Sequence, residues 1–303
     1  VKKWADKYGI KIDVVQINDY VESINQYTAG KFDGCVMTNM DALSIPGGGG
    51  LESTALIIGD FSNGNDGIVS KTAKTIADLK GSQLNLVELS VSHYLLARAL
   101  DTARLKEKDI KVVNTSDADM VAAFKTSGVK TVVTWNPLLS EVAKEPGAKV
   151  LYTSAQIPGE IIDMMVVNTQ TLKENPAFGK ALVGAWYEIM SIMSKNDKAG
   201  IEARTAMGKK SGTDLAGYDA QLKSTKMFYK PADAVAFATS PELVKTMDKV
   251  RNFLFSHNIL GEGAKSADFT GMAFPDGKTL GDTKRVKLRF DATYMKMAAD
   301  GKL

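Results

Sequence analysis

Gln83-Leu84-Asn85-Leu86-Val87-Glu88-Leu89-Ser90-Val91-Ser92-His93-Tyr94-Leu95-Leu96 changes its period in mid-run. Gln83–Val87 reads as a strand. From Ser90 or Ser92 through Ala103, Tyr94, Leu95, Ala99 and Leu100 recur on one side of a helix. Just before it, Lys74-Thr75-Ile76-Ala77-Asp78-Leu79-Lys80-Gly81 predicts a short helix turning into that strand. Beyond it the alternation continues, with strands expected at Lys111–Asn114, Thr131–Thr134, Val150–Thr153 and Ile161–Val167. Helices are expected between them at Asp117–Thr126 and Pro137–Lys144, the second with proline in its first turn. Strands alternating with helices predict α/β domains with largely parallel sheets.

Toward the N-terminus, Lys11–Val15 alternates like a strand. Asp19 and Glu22 form a capping-box pattern ahead of Val21, Ile24 and Tyr27, and Gly30 stops that helix. Phe32–Thr38 completes what reads as a right-handed βαβ unit. The four glycines at 47–50 predict a mobile loop, and Leu56–Gly59 and Gly67–Ser70 two further strands. After Thr171 the pattern turns helical: Asn175–Ser194, Lys198–Lys209, Gly212–Leu222, Pro231–Thr239 and Pro241–Phe255. The tail Lys284–Phe290 alternates like a strand whose partner the sequence does not identify.

Composition narrows the function classes. A chain of 303 residues predicts two domains. With 38 basic against 35 acidic residues, the net charge of +3 is too small for a nucleic-acid surface. No apolar run approaches the roughly 20 residues that cross a bilayer. Residues from Val1 onward carry no signal peptide or lipidation motif. The single cysteine, Cys35, lies in an apolar stretch and reads as a buried small hydrophobe. The two histidines, His93 and His257, lack metal-ligand spacing with it, so no metal and no cofactor are expected.

The run Asp78-Leu79-Lys80-Gly81, the strand after it and Ser90–Leu96 resemble type II periplasmic binding proteins of the nitrate/sulfonate/taurine group. Thr134-Trp135-Asn136-Pro137, Ile162-Asp163 and Leu172-Lys173-Glu174-Asn175-Pro176 add to the resemblance, which covers essentially the whole chain. Asn18–Ser23, Thr38–Leu43 and Phe290–Tyr294 look most like binding proteins of importers associated with urea carboxylase, whose substrate is urea- or guanidine-like. The resemblance implies an α/β fold of two lobes, with 1–70 and the mainly helical 166–303 in lobe one and 71–165 in lobe two. It also implies a monomeric periplasmic receptor without enzymatic activity. Such a receptor would deliver a small polar ligand to the membrane permease subunits of an ABC importer. Members of the group usually open with a strand ahead of the helix that here starts near Val1. That strand would lie between Lys11–Val15 and Phe32–Thr38, so those two segments are expected not to pair.

Ligands of open α/β sheets bind at the carboxyl ends of strands. That rule selects Thr38, Asn39 and Asp41 after the second strand, and Ser62 and Asn63 in the turn that also holds Asp66. It further selects Glu88, Ser90 and Ser92 where strand becomes helix, and Trp135 at a strand-to-helix turn. Asp163 is singled out separately, as an unusual carboxylate beside Ile161, Ile162 and Met164 at the returning strand, where it would contact the ligand or pin the hinge. Helix capping and turn chemistry explain several of these equally well. In sulfonate binders, hydroxyl and backbone N–H groups at the helix start hold an anion. A carboxylate at Glu88 would repel one, which favours a nitrogen-rich ligand with Trp135 as a flat wall. The alternatives are a small anion (sulfonate, taurine or nitrate), a pyrimidine-synthase-like enzyme of the same fold, and the effector domain of a transcription regulator.

Overall fold

Two sheets organise the chain, each grown from one of the alternating stretches. The computed structural model describes residues 1–303. Its strands are β1 Gly34–Thr38, β2 Ser53–Ser62, β3 Asp66–Ser70, β4 Gln83–Leu86, β5 Lys111–Asn114 and β6 Thr131–Trp135. They continue with β7 Lys149–Thr153, β8 Ile162–Asn168, β9 Thr225–Met227, β10 Gly271–Ala273, β11 Thr279–Leu280 and β12 Val286–Phe290. The first sheet has the order β1-β8-β2-β12-β10-β11 with β9 alongside β2; the second is β5-β4-β6-β3-β7. The α/β fold is as expected, but both sheets are mixed rather than largely parallel, because β8 returns antiparallel to β1 and β2 and β3 runs antiparallel to β6 and β7.

β2 is an almost continuous buried run through Leu56-Ile57-Ile58, as a central strand covered on both faces should be. The Pro176–Met193 and Pro231–Ala238 helices cover it, as does a C-terminal helix at Thr293–Ala299. The tail strand finds its partners in β12, which runs parallel to β2 and β10.

Four expectations need correction. Lys11–Val15 forms no strand: β1 uses its single paired edge on β8, and Val14 and Val15 stand 76% and 58% exposed. The segment therefore does not pair with β1, but no parallel βαβ unit is built either. Second, Asp66–Ser70 belongs to the second sheet, so the chain leaves the first sheet at Ser62–Asp66, not after residue 70. It returns between Thr153 and Ile162. Third, the glycine run is not a loose loop throughout: Gly47 is buried and Gly48 closely packed, while Gly49 is exposed. A Cβ on Gly48 would meet the Ser44 carbonyl at 2.2 Å and that of Leu260 at 3.2 Å, so glycine is required by close backbone approach. Fourth, Cys35 is half-buried, with its Sγ 3.6 Å from Ser23 Oγ and its thiol pushed up by burial. No helix is long and apolar enough to cross a membrane.

Candidate functional site

β1 and β2 both end at one edge of the first sheet, with the start of β8 between them. Register places Thr38 of β1 opposite Asp163 of β8, and Asp163 opposite Asp60 of β2. A bulge at Gly59 sets the second pairing by shifting β2 by one residue just before Asp60. Any Cβ there would meet the Trp186 ring at 3.0 Å. Like charges directly opposite on neighbouring strands destabilise a sheet. Here the two carboxyls share a hydrogen bond, and burial together with the Asp163 charge raises the Asp60 pKa well above the ordinary value.

Two further carboxyls complete the group. Asp41 follows Thr38 in a short helix at Asn39–Ala42 and is fully buried. Its Oδ2 accepts from Tyr20 Oη and from Thr38 Oγ1, each at 2.8 Å, while its Oδ1 has no partner. Burial raises Asp41 to about 6. The Tyr20 and Thr38 hydroxyls and the Val91 backbone N–H oppose that rise, and the Asp163 charge adds to it. Asp66, at the start of β3, accepts from Ser62 Oγ at 2.5 Å and is raised to about 7 by burial, with the Asp163 and Asp41 charges adding to it. Asp60 Oδ1 is also buried without a partner. No lysine or arginine pairs with any of the four aspartates.

Val91 opens the Val91–Thr102 helix of the second half, so Asp41 of the first half faces the helix end where an anion would bind. Tyr20 also packs edge-on against Trp135 of β6, centroid to centroid 5.6 Å. Asp66 lies opposite Trp135 in the β3–β6 register. Aspartates and aromatics from both sheets therefore converge at the crossover between them.

Of the residues singled out above, Thr38, Asp41, Ser62, Trp135 and Asp163 come together here. Asn39 is a structural bracket: its Nδ2 donates to the Glu160 carbonyl at 3.1 Å and its Oδ1 accepts the Ile162 N–H at 3.0 Å. Asn63 is exposed, with its backbone N–H bound to the Ser224 carbonyl. Glu88 is exposed too, its N–H held by Asn114 Oδ1 at 3.0 Å. Asn114 ends β5, at the edge of the second sheet away from β3 and β6, so Glu88 is tied away from the cluster. Ser90 caps its helix, accepting from Ser92 N–H and donating to the Val87 carbonyl at 2.7 Å. Ser92 Oγ is buried without a partner.

Sequence reasoning missed Tyr20, Asp60 and Ser154. Ser154 Oγ lies 2.6 Å from Ser62 Oγ and accepts the Gly64 N–H at 2.8 Å. Asp60 carries the signal that exposes Asp163, a carboxylate inside an apolar strand, but the apolar run Leu56–Gly59 stops one residue short of it. An open groove of about 770 Å³ is lined in part by Ser44, Gly48, Leu89 and Glu262, and by none of the four aspartates. The carboxylates carry the chemistry; the groove holds no comparable set of converging polar groups.

The NMT1-like family profile matches residues 1–207. An aliphatic sulfonates-binding protein of Escherichia coli K12 is 41% identical over 78 residues, spanning 26% of this chain and only 24% of that protein. Among solved structures, the periplasmic aliphatic sulphonate binding protein SsuA of Escherichia coli superposes with a TM-score of 0.70 at 19% identity. That match covers 94% of this chain and 90% of the other. The desulfurization enzyme DSZB shares the fold at a TM-score of 0.59 and 14% identity, over 88% and 89% of the two chains.

Proposed function

The chain belongs to the NMT1-like family, and from that premise we propose that it is the extracytoplasmic ligand-binding component of an ABC importer whose ligand is a small nitrogen-rich cation of the guanidinium type, with urea as a weaker neutral relative. One observation carries the reading. Asp41, Asp60, Asp66 and Asp163 gather where the two sheets meet, none has a cationic side chain, and Asp41 and Asp60 each keep a buried oxygen unpartnered. Unpaired buried charge is costly, and a ligand that brings charge and N–H donors removes that cost. A planar guanidinium can give a carboxylate two parallel N–H bonds, and charge-assisted bonds are about twice as strong as neutral ones. Tyr20 and Trp135 supply aromatic surface worth about 0.5–2 kcal/mol to a cation.

The sulfonate-binding relatives and the unpartnered Ser92 Oγ at a helix start favour a second reading, a small anion. Asp41 facing that helix end weighs against it. The receptor reading carries no chemical step: it is capture between two lobes, which favours their closed arrangement.

Calorimetry with guanidinium, urea, taurine and nitrate tests the ligand. Guanidinium should bind, raising stability by about 2.7 kcal/mol at a hundredfold excess over Kd. Tight binding of taurine or nitrate without any response to guanidinium or urea would overturn the cation reading, and product formed from the bound ligand would overturn the receptor reading.

A further inference from the structure

The chain has two histidines, far apart in sequence, and the fold brings them to one carboxylate. His93 lies in the Val91–Thr102 helix, and Glu107 in a short turn beside β5, both in the second half. His257 caps the Pro241–Ser256 helix, which packs on the first half through Met247, whose Sδ lies 3.5 Å from Asn39 Nδ2. Glu107 Oε1 lies 2.5 Å from His257 Nε2, and Glu107 Oε2 lies 3.2 Å from His93 Nε2. The imidazole rings meet edge to face at 5.5 Å.

Two histidines and a carboxylate whose ligand atoms lie within 4.8 Å of one another could hold a metal ion. The proton positions argue otherwise. His93 Nδ1 accepts the Leu89 N–H at 3.2 Å, so in the neutral ring the proton sits on Nε2, where a metal would have to bind. His257 is the reverse case. Its Nδ1 lies 2.8 Å from the Phe253 carbonyl and 3.0 Å from Ser256 Oγ, and it keeps its proton where it donates to the carbonyl. Its Nε2 then faces Glu107 as a donor only if the ring carries both protons. In the neutral ring either a nitrogen lone pair faces the carboxylate oxygen or the proton moves to Nε2 and the Phe253 bond is lost.

We propose that Glu107, His93 and His257 form a proton-dependent clamp between the two halves of the molecule, shut when His257 is an imidazolium and released when it loses its proton. His93 extends the clamp toward the cleft. Its Nε2 lies 3.2 Å from Glu107 Oε2 without an aligned hydrogen bond, while its Nδ1 holds Leu89, a non-glycine residue at a φ of 62° immediately before the Ser90 helix cap. The clamp does not depend on the identity of the ligand.

The charged neighbours are engaged elsewhere, and the Arg98–Glu160–Lys249 tie between the same two helices stays in place when His257 loses its proton. On the Val91–Thr102 helix, Arg98 pairs with Glu160 and Asp101. On the Pro241–Ser256 helix, Lys249 pairs with Glu160, Lys245 with Glu242, and Arg251 with Asp248 and Asp268. In the Glu107 turn, Asp109 accepts the Lys106 N–H, and Ser256 Oγ lies 3.0 Å from His257 Nδ1. The Glu107 contact raises the His257 pKa against the effect of burial. Burial works against ionisation of Glu107, yet the two histidines hold it down to about 2. A raised histidine stabilises the closed contact below its unfolded pKa and loses that effect as pH rises through the folded one. The clamp therefore opens on the alkaline side of ordinary histidine titration.

Small-angle scattering of the full chain from pH 5.5 to 9, with an NMR titration of the His257 ring, tests this. The expected result is a radius of gyration that increases with pH, with a midpoint matching a His257 pKa above 6.5. Glu107→Gln should bring His257 back to an ordinary value and remove the pH response. If that variant does not fold, the wild-type titration still decides: a His257 pKa at or below 6.5 overturns the proposal. So does a pH response unchanged in Glu107→Gln, or closure that requires added zinc.

Discussion

Two groups of buried carboxylates sit within the same molecule and meet opposite fates. Glu160, 6% exposed, accepts from Tyr94 Oη at 2.7 Å, Arg98 Nε at 2.8 Å and Lys249 Nζ at 2.6 Å. Burial works against its ionisation, but those three donors hold its pKa below the ordinary value. Asp41, Asp60 and Asp66 are buried and Asp163 half-buried where the two sheets meet, with hydroxyls and one another for company, and all are raised. Glu160 is complete within the chain and acts as a structural tie between the Val91–Thr102 and Pro241–Ser256 helices. The aspartates are incomplete, and what they lack is positive charge. Burial alone does not mark a site; burial without internal compensation does.

The largest effect should come from breaking the completed group. Glu160→Ala removes the acceptor that both cations share, and should destabilise the protein by about 4 kcal/mol in chemical denaturation. If it is neutral, the two groups do not differ as described.

The opposite sign is expected at Asp41. Its raised pKa means the free protein binds more protons than the unfolded chain, so this stabilising contribution is complete below about pH 4 and is lost as pH rises through about 6. Asp41→Asn should therefore match wild type near pH 4 and exceed it by on the order of 2 kcal/mol at pH 8, as read from urea midpoints. An Asn variant less stable than wild type at pH 8 would show that the charge is compensated after all.

Ligand affinity should follow the same titration with reversed sense. Guanidinium needs the ionised carboxylates, so its Kd should fall about tenfold between pH 5.5 and 7.5, about 1.4 kcal/mol, as Asp41 and then Asp66 deprotonate. A flat calorimetric profile would place the ligand elsewhere. The smallest effect is expected at Glu88, which is exposed and tied to β5. Glu88→Gln should change guanidinium binding by no more than about 0.5 kcal/mol.

Periodicity alone made most of the elements legible. The strand-to-helix switch at Gln83–Leu96 and the helical run after Thr171 are local patterns, set by which side chains recur on one face, and they form where the residues predict. Asp163 was legible for a related reason, as a carboxylate in a run that should be apolar. What tertiary structure decided was everything that depends on partners. Lys11–Val15 has the composition of a strand, but a strand exists only where a neighbour takes its backbone bonds, and β1 paired with β8 instead. Glu88 and Asp41 are both acidic residues near strand ends. One faces solvent beside Asn114, while the other is buried against the start of a helix from the other half. Asp60 faces Asp163 through a bulge in long-range register, and His93 meets His257 across the two halves. The sequence by itself determined which segments could be helix or strand, because that is a property of near neighbours. Which charges are left without a partner was decided only in the folded chain, because it depends on residues a hundred positions away.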